Sequence, residues 1–179
     1  IVRELRWLAR RAGPDATVVF SYSGHTKQLG GDPDGDGELL DEALWATDNR
    51  FLWDAQLGRL LGRVEAHRMW VTIQGCEAAG FGDPGVEGAG RVVTYSSRED
   101  QKSFESRAER QSLHFLHLVR EGLRDGKAGT DGRPVSVQQA QRYAELRVWD
   151  RTGGRQTPVM VDGMGGRPFL LGLGPRAGR

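Results

Sequence analysis

The sequence predicts an α/β fold with a mostly parallel central sheet flanked by helices, and three observations carry that prediction. Short β-rich apolar runs stand at 16–22 (A-T-V-V-F-S-Y), 69–73 (M-W-V-T-I) and 91–96 (R-V-V-T-Y-S), each with the length of a buried strand. Around them lie segments whose apolar residues recur at helical spacing. The two kinds alternate along the chain, which favours helical crossovers and parallel pairing.

In order, residues 1–12 put Ile1, Leu5, Leu8 and Ala12 on one helical face, and Gly13-Pro14 ends that helix. Residues 16–22 read as a central strand. Residues 27–50 are polar and rich in Gly and Asp, and read as a loop long enough to be functional. Residues 53–67 read as an amphipathic helix with Leu57, Leu60, Leu61 and Val64 inward, leading to the buried strand 69–73. Residues 77–90 read as a second mobile loop, followed by the strand 91–96. Further helices are expected at 109–123, with Leu113, Leu116 and Val119 inward, and at 136–148. Short strands at 158–161 and 168–173 complete the reading.

A length of 179 residues suits one domain with a real core, and 26 glycines point to long surface loops. Basic and acidic residues nearly balance at a net charge of +1, so nothing argues for nucleic acid or a membrane surface as partner. No apolar stretch reaches the length of a membrane span, and the expected setting is cytoplasmic. Cys76 is the single cysteine, which excludes an internal disulfide and Cys-rich metal sites.

Two stretches stand out. V-F-S-Y-S-G-H-T at 19–26 and I-Q-G-C-E-A-A-G at 73–80 each place a reactive side chain, His25 or Cys76, where an apolar strand emerges. Reactive loops of parallel sheets gather at the carboxyl ends of the strands. A thiol attacks as thiolate, and an imidazole beside it can manage the proton. A histidine about 50 residues before such a cysteine is the pattern of caspases.

On these residues the chain resembles the caspase-like cysteine peptidases, the clan of caspases, metacaspases and bacterial relatives. Ser23-Gly24-His25 stands for the S-G-H of that clan and Gln74-Gly75-Cys76 for its Q-A-C or D-x-C. Asp41-Glu42-Ala43-Leu44 resembles the D-E-x-L of metacaspase-like sequences. The stretch from Val93 through Glu105 resembles a bacterial segment, and Gln156-Thr157-Pro158 its terminal Q-x-P. The resemblance implies a caspase-like three-layer sandwich over 1–179. It also implies a cysteine endopeptidase with His25 and Cys76 catalytic, acting on protein or peptide substrates through a thioester, without a cofactor and in a bacterial setting. The oxyanion would be held by the backbone N–H groups of Thr26 and Cys76.

The pattern departs in places. Thr26 stands where the family has glycine, and Glu77 follows the nucleophile, where it either raises the thiol pKa or points to solvent. The family also places a strand beside the one that carries the histidine. The chain is therefore expected to be a fragment, completed by an N-terminal piece or a second chain. Substrate contacts are expected from Gln74, Ser103, Phe104 and Glu105. Glu105 in place of an arginine favours cleavage after Arg or Lys, whereas Gln74 and Arg98 suit cleavage after Asp. A pseudo-peptidase used for binding is the other reading. Asp32, Asp34 and Asp36 have the D-x-D-x-D-G spacing of a calcium loop, but Ala43 stands where its bidentate glutamate belongs. His67, His114 and His117 read as surface or packing residues.

Overall fold

A computed structural model of the chain describes residues 1–172 except 34, 36 and 131. The predicted strands form a four-stranded sheet from β1 (Thr17–Ser23), β5 (Arg68–Gln74), β6 (Arg91–Tyr95) and β9 (Val159–Asp162). Their order is β1-β5-β6-β9, with the first three parallel and β9 antiparallel. Period-two alternation divides the side chains between two cores. Met69, Val71 and Ile73 of β5 join Val93 and Tyr95 of β6 on one face, against Leu5 of α1 (Val2–Arg11) and Leu57, Leu60 and Leu61 of α2 (Asp54–Leu61). On the other face Trp70 and Val92 meet Leu118 and Leu123 of the helical segment 113–124, and Ala140 and Ala144 of α4 (Val137–Thr152). The result is three layers.

α4 begins with a complete capping box: the Ser136 hydroxyl accepts from Gln139 N–H, and the Gln139 side chain accepts from Ser136 N–H. α3 (Leu113–Phe115) continues as a π-helix, Leu116–Arg124. The wider winding shifts the inward face, so Leu118 is buried and Val119 only half-buried, where α-helical spacing put Val119 inside.

Other expectations are corrected. The 27–50 loop is mostly ordered: β2 (Thr26–Gly30) pairs antiparallel with β3 (Leu40–Trp45), which pairs with β4 (Phe51–Trp53). Its polar composition hid a hairpin because β3 buries two carboxylates, Asp41 and Glu42, beside Ala43 and Leu44. Residues 77–90 are not a loose loop either. A 3-10 turn, Ala78–Phe81, buries Ala78 and Phe81 completely, and Val86 is also buried. The helix expected over 53–67 ends at Leu61, and Val64 reaches the core from the following turn. Over 168–172 there is an isolated bridge, Leu170 to Ser136, in place of a strand. β1 lies at the edge of the sheet among the described residues instead of in its middle, and Val19 on it is 44% exposed.

Candidate active site

β1 and β5 pair in parallel register, with Ser23 opposite Gln74. His25 and Cys76 each follow two residues beyond that last pair. The register persists past the strand ends. Gly24 N–H donates to the Gln74 carbonyl at 3.1 Å, and the Thr26 hydroxyl donates to the Cys76 carbonyl at 2.6 Å. His25 is thus held between two residues that are each bonded to the cysteine segment. Its carbonyl accepts from the Tyr22 hydroxyl at 2.5 Å and from Trp45 N–H at 3.0 Å. Its ring is exposed and stands 6.3 Å from the Trp45 ring. The Cys76 side chain is half-buried.

Gly75 is required for this close approach. A Cβ there would lie 2.4 Å from the Thr26 methyl and 3.1 Å from the Gly24 carbonyl. The Gly75 carbonyl receives the hydroxyls of Ser96 (2.8 Å), Ser97 (3.2 Å) and Ser103 (2.6 Å), while Gly75 N–H donates to Ser96 Oγ. Gly75, the residue before Cys76, is therefore held through both its N–H and its carbonyl. Ser103, expected on the substrate wall, turns its hydroxyl to this carbonyl.

The other residues expected to contact substrate are linked through one short hairpin. Gln74 is buried and its Oε1 accepts from the Ser112 hydroxyl at 2.8 Å. Ser112, in β8 (Gln111–Ser112), lies opposite the exposed Glu105 of β7 (Glu105–Ser106). Phe104 N–H donates to Gln156 Oε1 at 2.8 Å, and the Arg155 guanidinium lies 4.9 Å over the Phe104 ring. Gln156, fully buried, also donates to the Ser96 carbonyl at 2.8 Å. Gln101 and Thr157 bond one another beside it. The Q-x-P segment therefore braces the wall from behind.

Glu77 corrects an expectation. It does not point to solvent: it is 6% exposed, with φ at 50°, and its carboxylate pairs with the Lys102 ammonium. No pattern in the sequence joined residues 77 and 102. The turn after Glu77 rests on Glu42. A Cβ at Gly80 would fall 2.3–2.5 Å from the Glu42 carboxyl, which is 1% exposed and accepts from Gln28 Nε2. Burial, with Asp54 and Glu99 nearby, pushes the Glu42 carboxyl up to about 8 against the donor effect of Gln28.

For calcium, Asp34 and Asp36 lie outside the described residues, and Asp32 is exposed. A different set gathers instead. Glu38, Asp41 and Asp54 bring one carboxylate oxygen each within 4.8 Å of one another, with both aspartates buried. Oxygen donors of that kind fit a hard divalent cation. His114 is buried against Gln141 and His117 against Glu121, so both are packing residues, while His67 is exposed.

A mostly parallel α/β sheet carries His25 and Cys76 two residues beyond the ends of two neighbouring strands. The caspase domain of the peptidase C14 family matches residues 1–169, and the chain belongs to that family. Metacaspase-1 of Meyerozyma guilliermondii is 43% identical over 51 residues, covering 27% of this chain and 12% of that protein's length. The match thus spans about an eighth of that relative's length. The crystal structure of protein GSU0716 from Geobacter sulfurreducens superposes with a TM-score of 0.62 at 17% identity, covering 94% of this chain and 74% of that one. It supports the fold. Among the described residues, no helix is long and apolar enough to cross a membrane.

Proposed function

We propose that this chain is a cysteine endopeptidase that cuts after a basic residue, Arg or Lys. The observation that supports the reading is the β1–β5 register, in which His25 and Cys76 each follow two residues beyond the last pair, Ser23 and Gln74. The Cys76 thiolate attacks the scissile carbonyl carbon, and the tetrahedral oxyanion is met by the N–H groups of Thr26 and Cys76. His25 gives its proton to the leaving amine as the C–N bond breaks, and a thioester remains. Water then adds to the thioester while His25 takes its proton, and the thiol is released with the acid product.

Gln74, Phe104 and Glu105 form the wall that selects the residue before the scissile bond, with Ser103 holding the wall to Gly75. An exposed carboxylate at Glu105 suits a guanidinium by bidentate pairing. Cleavage after Asp is the second reading, and one observation favours it. Gln74 spends its oxygen on Ser112, and its buried Nε2 has no partner among the described residues. That donor would suit a carboxylate. Matched fluorogenic Arg, Lys and Asp peptides decide between the two. Cys76→Ala and His25→Ala should abolish cleavage, and Glu105→Gln should cut the Arg rate roughly ten- to a hundredfold, the worth of a charged hydrogen bond. A wild-type preference for Asp sinks the basic reading. Equal activity of Cys76→Ala and wild type sinks the peptidase reading itself.

No cofactor enters the thiol chemistry. If calcium activates the enzyme, Glu38, Asp41 and Asp54 are the residues that would hold it, and its contribution would be to neutralise their charge. The open edge of β1 is where an added strand, from a preceding segment or a second chain, would complete the sheet.

A further inference from the structure

Immediately after the candidate nucleophile the chain makes an unusual turn. Glu77 adopts a left-handed backbone conformation without being glycine, which is sparsely populated and persists only where the surroundings enforce it. The enforcement comes from one neighbouring segment, 97–102. Glu77 N–H donates to the Gln101 carbonyl at 2.8 Å, Ala78 N–H to Ser97 Oγ at 3.2 Å, and Ala79 N–H to the Ser97 carbonyl at 3.1 Å. The same segment supplies Lys102, whose ammonium closes on the Glu77 carboxylate. The carboxylate is 8% exposed in that pair, whereas the lysine side chain is 70% exposed.

The burial is asymmetric, and this has an electrostatic consequence. A buried carboxylate one residue from a thiol opposes formation of the thiolate, because like charges at close range disfavour each other. An ammonium bonded to that carboxylate opposes its field. The Glu77 side chain holds Lys102 in its charged form, and Cys76 acts on Lys102 in the same direction, so the three groups share one electrostatic neighbourhood. The other ionisable residues around the turn are His25 at the end of β1, Glu42 beneath Gly80, and Arg98, Glu99 and Asp100 in the 97–102 segment. Among the described residues, Lys102 is the cation that pairs with Glu77.

We propose that Lys102 is a positioning residue for the nucleophile: its ammonium neutralises the buried Glu77 carboxylate and fixes the turn after Cys76, so that the thiolate forms beside a neutral pair instead of a bare charge. The proposal rests on the reading of Cys76 as nucleophile. It assigns this pair the task of offsetting a carboxylate placed next to a reactive thiol. It also explains how Glu77 is tolerated at that position. A neutral side chain at 77 would need no lysine, and a lysine at 102 without Glu77 would have no buried partner.

The test is the pH dependence of Cys76 alkylation by iodoacetamide in the full chain, which reads the thiolate and needs no substrate. Lys102→Met should move the midpoint of the rate profile to higher pH by about one unit, the effect of an uncompensated neighbouring charge. Lys102→Arg should keep the wild-type midpoint. Adding Glu77→Gln to Lys102→Met should return the midpoint to within about 0.3 unit of wild type, since the opposing charge is then gone. A purely structural role for the lysine would not be repaired by removing its partner. Coincident profiles for Lys102→Met and wild type overturn the proposal. So does a double variant that stays displaced. Thermal unfolding of each variant shows whether it is folded, and the exposed position of Lys102 makes Lys102→Arg the safe comparison if Lys102→Met is unstable. Failure of the peptidase reading is seen separately, as wild type and Cys76→Ala hydrolysing peptides alike, and leaves the alkylation comparison intact.

Discussion

Replacing Glu42 by glutamine should make the protein less sensitive to alkaline pH. Glu42 is 1% exposed, lies against Gly80 and has Asp54 and Glu99 for electrostatic neighbours. Burial is the largest cause that raises its carboxyl from an ordinary value near 4.5 to about 8. In the unfolded chain the proton leaves near 4.5, so between that pH and about 8 the folded state binds more protons than the unfolded one. Stability therefore falls as pH rises through this window and levels off above it. Between pH 6.5 and 8, at ~1.4 kcal/mol per unit, the fall is at most about 2 kcal/mol, and about 1 kcal/mol where local relaxation around the charge offsets half of it. Glutamine has the same shape, can still accept from Gln28 and does not ionise. Urea unfolding of wild type and Glu42→Gln at pH 6.5 and 8.5 should show the variant gaining about 1 kcal/mol relative to wild type across the interval. Taking the difference removes every other group that titrates there. Parallel stability curves would refute the argument and mean that Glu42 is ionised in the folded protein.

At acid pH the sign reverses for His114, whose burial lowers its imidazole to about 4. The unfolded chain takes that proton near 6.5, so stability present above 6.5 should be lost as pH falls towards 4, by about 3 kcal/mol at most, and His114→Gln should flatten that limb in acid-unfolding curves. Gly75→Ala should destabilise by about 1–3 kcal/mol through overpacking, with most of it recovered by Thr26→Gly in the same chain, as read by thermal unfolding. Gln156→Ala strands Phe104 N–H and the Ser96 carbonyl and should cost about 2–3 kcal/mol; a loss below about 0.5 kcal/mol would show that water replaces the amide. Calcium should raise the melting temperature of wild type and not of Asp54→Asn if the three-carboxylate set holds it; equal shifts would place the ion elsewhere.

The strands at 17–23, 68–74 and 91–95 were legible because continuous apolar runs of that length have few other uses, and the family followed from S-G-H and Q-G-C at their ends. The helix start at residue 136 and the helix at residues 1–12 were legible for the same local reason: each signal lies within a few residues of chain. The β2–β3 hairpin was not, since β3 mixes buried carboxylates with apolar residues on both faces and a long Gly/Asp segment separates the strands. The π-winding of Leu116–Arg124 has no signature in the apolar spacing and appears only where the segment packs on α4. Charge partnership is the least local of these properties. Glu77 meets Lys102, Glu42 lies beneath Gly80, and Asp41 and Asp54 share a site with Glu38, each through contacts between segments far apart in sequence. By itself the sequence determined which residues carry reactive groups and which strand ends they follow. Only the tertiary structure decided which carboxylates are buried, which ammonium answers them and which hydroxyls hold the Gly75 carbonyl, because burial and through-space charge depend on distances that no local pattern encodes.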